Sequence, residues 1–422
     1  MSQIMIEQPL ALPCGHTIKN RFIKAAMTEG LATASDHATP AHQILYKTWA
    51  QGGAAVLISG NIMVDKRYLE RAGNVVTEDE RAIKQLSAWA KATHEGGSEL
   101  WGQISHPGRQ CPRLVNTKPL SASDVQLNMI SNFGKPKAAT QAQLDDIIKR
   151  FANTASVLKK AGFDGVQIHS AHGYLLSQFL SPITNKREDE YGGSLENRAR
   201  LLLRVIQSVR DAVGPEFPVA IKLNSSDFQK GGFSADECIQ VIQWLNDAGI
   251  DLLEISGGTY EQLEFFQQSD QKVRASTQKR EAYFLEYAEN IKKIAKMPVM
   301  VTGGFRSLAG MERALENDQT DVIGLARPFC VNPNFPNEMM SQSLELLEEV
   351  ESKLILGNGF WGPASSSKSV QALNNQCQAG WYYHQIEQLA QGKPSNAEYS
   401  PRKALLSHFR KDITRAIKRK FA

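Results

Sequence analysis

Cysteine is scarce in this 422-residue chain, and what there is does not cluster. Cys14, Cys111, Cys238, Cys330 and Cys377 stand far apart, and no two have C-x-x-C spacing. That excludes a zinc knuckle and an iron–sulfur ligand run, and it suits a reducing compartment. Single cysteines of this kind read as small buried or surface residues rather than nucleophiles. Long apolar runs are also missing. Nowhere do 18 uncharged apolar residues follow one another, so no transmembrane helix is expected. The first residues, MSQIMIEQPLALPCGHT, have no basic start followed by an apolar run, and the expectation is a cytoplasmic protein without a secretory signal. No G-x-G-x-x-G turn follows a strand-like run, which weakens a doubly wound dinucleotide-binding sheet. Repeats and low-complexity stretches are absent apart from Ser365–Ser367.

Excess charge is nearly absent from the body of the chain. The formal net charge is +4, but residues 401–422 hold eight Lys or Arg against the single acid Asp412. The preceding 400 residues are left at −3, which argues against a nucleic-acid partner. Apolar residues at 42% and charged residues at 22% are ordinary for a chain with a large core.

From about residue 20 to 340, short apolar runs alternate with amphipathic helical patterns. Strands are expected at Phe22–Met27, Ala54–Ser59, Glu99–Ile104, Gly165–His169, Val219–Leu223, Asp251–Ile255, Val299–Thr302 and Asp321–Leu325. They lack strict alternation, as parallel strands buried on both faces do. Thr140 with Gln143 and Ser234 with Glu237 are capping-box pairs that open helices, and Gly162 and Gly249 sit where helices should stop. Leu144, Ile147, Ile148, Phe151, Ala155 and Leu158 share one helical face. Eight such alternations predict an α/β fold, a (β/α)₈ TIM barrel with a C-terminal helical extension. The boundary is placed at 342, with residues 1–342 as the barrel and 343–422 as the extension. That extension holds the link Gly357–Pro363, a helix near 370–390 and a basic terminal helix. In the last, Leu405, Leu406, Phe409, Ile413 and Ile417 form an apolar stripe that is expected to dock on protein rather than lie on a membrane. Two long loops, 105–139 and 256–280, belong to the C-terminal face where barrel enzymes build their sites. The second carries Gly257, Gly258, Tyr260, Phe265 and Phe266, which suit an apolar lid.

The densest group of chemically able residues runs from Asp164 to Arg198. His169 ends a strand, and His172 and Tyr174 follow at once, bringing three protonatable groups to one barrel mouth. Two histidines can donate to a carbonyl oxygen, and a phenol can deliver a proton while neutral near pH 7. The H-x-x-H pair lacks a nearby Glu or third ligand, so no metal is expected.

The run HSAHGYLLSQFLSPITNKREDEYGGSLENR resembles the Old Yellow Enzyme family of NADH:flavin oxidoreductases, and the likeness extends over about residues 4–340. It implies a barrel that binds FMN. NRFIKAAMT resembles the first-strand motif beside the flavin, which implies contacts from Ala25, Ala26, Met27 and Thr28. Gly60 matches a small flavin-facing residue. QISHPGRQ resembles an element whose Gln103 pairs with the pyrimidine edge, while His106 and Arg109 read as loop structure. Lys222 stands where the family usually has Arg beside the ring's N1 and O2, keeping the charge but losing the planar fork. VTGGFR and IGLARP resemble the phosphate cradle, implying Gly303, Gly304, Ala326 and Arg327 as phosphate contacts. There are departures: Ala26 replaces a frequent Pro, Gly30 replaces one subgroup's site Tyr, and Thr28 replaces that subgroup's Cys. The clustered cysteines of the dienoyl-CoA reductase branch are missing, so no iron–sulfur cluster is expected.

The likeness implies an enzyme that passes hydride from NADH or NADPH through bound FMN to an electron-poor small molecule, foremost the activated C=C of an α,β-unsaturated carbonyl. His169 and His172 would hold the carbonyl oxygen and Tyr174 would protonate the α-carbon. Quinones and nitro compounds are alternative acceptors, and a flavin-free binding or scaffold barrel is the rival from another class. The partners expected are the acceptor and the nicotinamide, with a homo-oligomer left open.

Overall fold

The computed structural model describes residues 5–127, 132–256 and 287–422. The expected lid, Gly257 to Phe266, lies outside them. Eight short strands carry the fold: β1 Phe22–Lys24, β2 Val56–Ile58, β3 Glu99–Ser105, β4 Gly165–Ser170, β5 Val219–Asn224, β6 Leu252–Ser256, β7 Val299–Thr302 and β8 Val322–Leu325. Each pairs in parallel with the next, and β8 returns to β1, so the sheet closes into a barrel without edges. All eight fall within a few residues of the stretches expected from the sequence.

Both faces of these strands are buried, which is why their pattern shows no simple alternation of apolar and polar. Ile23, Val56, Ile58, Trp101, Ala220, Leu252, Met300 and Val322 point inward and pack with Leu12 and Ile18 of an N-terminal hairpin that plugs the barrel base. Their neighbours, such as Leu57, Leu100, Val166, Ile221, Leu253 and Ile323, point outward against the helices.

The helices begin and end where local chemistry dictates. Thr140 and Gln143 form a reciprocal capping box at the start of Gln141–Lys160, and Ser234 and Glu237 do the same for Ala235–Leu245. Each pair satisfies two backbone donors that the first helical turn leaves orphaned. Gly162, one residue past its helix's C-cap, has φ +90°, a conformation that costs a side-chain-bearing residue. All six of the expected face residues, Leu144 to Leu158, are buried.

Two long helices follow the barrel, αA Lys368–Leu389 and αB Pro401–Lys420. They cross closely at Gly380, where a Cβ would lie 3.0 Å from the Ala404 carbonyl oxygen, so a larger residue would push the helices apart by a few tenths of an ångström. The expected docking face of αB needs correction. Leu405 is buried, but Leu406, Phe409, Ile413 and Ile417 are exposed. αB docks instead through Ala404, Leu405, His408 and Ala416, supported by ion pairs to the barrel's loops. Asp412 meets Arg71, and Arg419 grips both oxygens of Asp36 at 2.8–3.0 Å. Charged anchors rather than the most apolar stripe decide which way this helix faces, a choice that hydrophobic periodicity alone does not register. Among the described residues, no helix is long and apolar enough to cross a membrane.

Candidate active site

Towards the C-terminal ends of the strands, the inward positions change from apolar to polar. Gln103 follows Trp101 on β3, Gln167 and His169 share β4, Lys222 follows Ala220 on β5, and Glu254 follows Leu252 on β6. A buried chain of contacts joins them. Gln103 Nε2 donates to Gln167 Oε1 at 2.7 Å, Gln167 Nε2 donates to Glu254 Oε2 at 2.7 Å, and Lys222 Nζ lies 2.8 Å from Glu254 Oε1. The carboxylate can only accept, so it fixes the Gln167 amide, and Gln167 in turn fixes Gln103. Gln103 is thereby turned to present its carbonyl oxygen as the second group of its amide. Glu254 balances the Lys222 ammonium, so the buried cation is not left uncompensated.

His169, His172 and Tyr174 stand on this floor. The His169 ring lies 5.2 Å from His172 and 4.7 Å from Tyr174, both edge to face. The Ala171 N–H donates to His169 Nδ1 at 3.2 Å. A neutral His169 must then carry its proton on Nε2. Burial, with His172 and Lys222 nearby, holds His169 well below the ordinary histidine range. Burial and Lys222 hold His172 down to about 3. Both rings are therefore neutral hydrogen-bonding groups across the physiological range. His172 Nε2 pairs with Ser256 Oγ at 2.7 Å.

The turn that presents this trio is strained and braced. His172 has φ +58°, rare for a residue with a side chain. Asn224 Oδ1 accepts its N–H at 3.0 Å, and Gln110 Nε2 donates to its carbonyl at 2.8 Å. His106 and Arg109 belong to the same bracing loop. His106 accepts from the Gly108 N–H, and the Arg109 N–H donates to Gln178 Oε1. Both lie in the loop after β3, where the sequence places them.

A cavity of ≈ 270 Å³ gathers Ala26, Met27, Thr28, Gln103, His169, His172, Tyr174, Lys222 and Arg327. Five of the other expected positions, Ala25, Gly60, Gly303, Gly304 and Ala326, do not line it. Ala25 is wholly buried. Gly60 packs against the end of β1, and a Cβ there would lie 2.4 Å from Glu29 Oε2 and 2.5 Å from the Met27 carbonyl oxygen. Its need for glycine is thus met by close packing within the wall. Gly303 and Gly304 take φ +88° and +85° in succession beyond β7, where the Gly303 N–H donates to the Gly324 carbonyl and ties the turn to β8. Arg327, after β8, pairs with Glu351 at 3.0 Å, and Arg306 shares that carboxylate at 2.9 Å.

These residues fit a flavin mononucleotide. Asn61 lines the cavity with a buried Oδ1 that has no hydrogen-bond partner among the described residues, and Thr302 Oγ1, at the end of β7, is in the same condition. Around them stand an amide suited to a pyrimidine edge, an ammonium suited to a ring that gains negative charge, and a guanidinium beside a glycine turn suited to phosphate. Among the described residues no group of three or more His, Cys, Asp or Glu is placed to hold a metal ion.

Sequence reasoning missed several lining residues. Asn61 and Glu70 come from the loops after β2. Thr28 Oγ1 donates to Glu70 at 2.9 Å, and Asn61 Nδ2 lies 3.5 Å from both Thr28 Oγ1 and the Tyr174 hydroxyl. Ala379, Tyr382, Tyr383 and Ile386 come from αA. The signal for Gln167 and Glu254 was there to be read, since each is a polar residue set directly between two apolar neighbours in a buried strand.

The family model described as the NADH:flavin oxidoreductase / NADH oxidase family matches residues 6–345. The chain is 40% identical over 338 residues to the NADH-dependent flavin oxidoreductase nadA of Aspergillus parasiticus, covering 76% of this chain and 75% of that one. It is 32% identical over 414 residues to the NADH-dependent flavin oxidoreductase iccE of Talaromyces variabilis, covering 92% and 99%, so that likeness runs on beyond the family model. Among solved structures, an old yellow enzyme homologue from Zymomonas mobilis shares the fold with a TM-score of 0.68 at 24% identity, covering 82% of this chain and 95% of that one.

Proposed function

The chain belongs to the NADH:flavin oxidoreductase / NADH oxidase family, the Old Yellow Enzyme family, and from that membership we propose that it reduces the activated C=C of α,β-unsaturated carbonyl compounds. It is an NAD(P)H-dependent flavin oxidoreductase, which sets the flavin-free scaffold aside. Residues 1–342 serve as the catalytic barrel and 343–422 as its extension. FMN, which Gln103, Lys222 and Arg327 would hold, would supply the redox chemistry between the nicotinamide and the acceptor.

One observation carries the reading: two neutral imidazoles and a phenol converge on one mouth beside a buried ammonium. His169 Nε2 carries the proton and donates to the acceptor's carbonyl oxygen. When Ser256 donates its hydroxyl to His172 Nε2, the second ring's proton sits on Nδ1, and it donates as well. Charge that develops on that oxygen during reduction is met by preorganised donors in a water-poor site. Neutral donors suit the task, because they stabilise the oxygen without protonating it. Tyr174, 2% exposed and edge-on to His169, delivers the proton to the α-carbon. Lys222 lies on the cofactor side, held by Glu254, and favours a ring bearing negative charge. Arg327 and the Gly303–Gly304 turn hold the phosphate.

Purified protein should be yellow, bleach on anaerobic titration with NADH or NADPH, and recolour on addition of cyclohexenone. Recolouring by benzoquinone but by no enone would contradict the enone reading while leaving the oxidoreductase intact.

A further inference from the structure

The extension beyond the barrel reaches the candidate active site with one face of one helix. Ala379, Tyr382, Tyr383 and Ile386 of αA all line the cavity that holds His169, His172 and Tyr174. Their spacing of i, i+3, i+4 and i+7 is that of a single helical stripe. The barrel strands supply the floor of this cavity, so the stripe forms a wall facing them.

Tyr383 is the most firmly held residue of that stripe. Its ring lies 4.0 Å from the Arg71 guanidinium and stacks on His408 of αB at 5.1 Å and 13°. Arg71 is itself tied to Asp412 of αB. Burial pushes the Tyr383 phenol up to about 12 against the opposing pull of Arg71, so the phenol stays neutral. Glu70, which lies beside Arg71 in the chain, accepts from Thr28, and Asn61 sits between Thr28 and Tyr174. Polar contacts thus run from Tyr174 through Asn61 and Thr28 to Glu70, and the next residue in the chain, Arg71, meets the Tyr383 ring. Tyr382 faces the other end, on the side of Glu351, the partner of Arg327. The two tyrosines divide the wall into a phosphate end and an acceptor end.

We propose that Tyr383, with Ala379 and Ile386 beside it, is the specificity-determining wall of the acceptor site, limiting entry to flat, slim conjugated acceptors and excluding those with a substituent standing out of the plane. The inference rests on the reading of this cavity as the acceptor site. A ring in contact with both a guanidinium and an imidazole cannot swing aside without losing both contacts. The limit it sets is therefore steric and rigid.

The test uses the FMN-loaded full chain, photoreduced without nicotinamide, and follows reoxidation by two pairs of acceptors. One pair is cyclohexenone and a phenyl-substituted cyclohexenone, and the other is benzoquinone and phenylbenzoquinone, whose added ring in each case stands out of the acceptor's plane. Tyr383→Ala should raise the bulky-to-slim ratio of the second-order reoxidation rate constants by about tenfold, chiefly through the acceptor's apparent dissociation constant, as expected for room gained in an apolar pocket. Tyr383→Phe keeps the ring and should leave the ratio unchanged. Ala379→Leu adds bulk to the same stripe and should lower the ratio, which keeps the proposal testable if Tyr383→Ala fails to fold. Equal loss for slim and bulky acceptors in Tyr383→Ala, or no change of ratio in Ala379→Leu, would overturn the wall. If the parent oxidises with quinones only and the quinone ratio moves as stated, the wall stands and the enone reading falls.

Discussion

The barrel mouth and the αA stripe face one another across the same cavity, yet they are positioned by different physics. At the mouth, place follows from register. Gln103, His169, Lys222 and Glu254 are the inward residues at the ends of successive parallel strands, and closure of the barrel converts strand position into spatial position. In the wall, place follows from anchors distant in sequence. Tyr383 is set by Arg71 and His408, and αB is set by Asp36 and Asp412 pairs that join opposite ends of the chain. The first kind of order is repeated and redundant. The second depends on a few contacts, so changes to chemistry should come from the mouth and changes to selectivity from the wall.

Arg327 is where the two regions meet, and replacing it should give the larger effect. It belongs to the mouth but pairs with Glu351, which precedes αA. Arg327→Ala should weaken FMN retention by roughly 10- to 100-fold, since a charge-assisted contact to phosphate contributes about 1.5–3 kcal/mol. Equilibrium dialysis measures it. Retention equal to the parent would place the phosphate elsewhere and detach the cofactor from this end of the cavity.

A smaller effect, in stability, should split between the regions. His172 is held down to about 3, and His106 and His408 to about 4, each chiefly by burial. Their folded values lie below the unfolded value of about 6.5, so the unfolded chain binds more protons between these limits. Stability should be full above about pH 6.5 and decline as pH falls from there towards 4, each group contributing roughly 1–2 kcal/mol by pH 5. Thermal unfolding between pH 7 and 5 reads the slope, and His408→Gln should remove only the tail's share. A Tm that rises on acidification would mean the rings are protonated in the fold.

The contrast also explains what the sequence disclosed. The barrel was legible because eight apolar runs recur, and parallel strands admit few arrangements. The His169, His172 and Tyr174 group was legible because three protonatable residues follow the end of one strand. Gly60 was placed correctly after β2, but its glycine answers to packing against Met27 and Glu29. The αA stripe went unseen because Ala379, Tyr382, Tyr383 and Ile386 look like any helix core, and only the fold shows that they face a cavity. The αB stripe misled for the opposite reason. Its apolar face was clear, but Arg419 and Asp412 find partners some 340 to 380 residues away and turn another face inward.

The account's central claim, that this mouth completes the reduction of an enone, is tested most directly by Tyr174→Phe in stopped flow, with the two half-reactions followed separately. The variant keeps the ring against His169 and removes the proton. Flavin bleaching by the nicotinamide should proceed at close to the parent rate, while reoxidation by cyclohexenone slows by about 10²–10⁴-fold, the range a well-placed acid supplies. An equal loss in both half-reactions would show that Tyr174 positions the cofactor or the nicotinamide instead, and would contradict its role as proton donor.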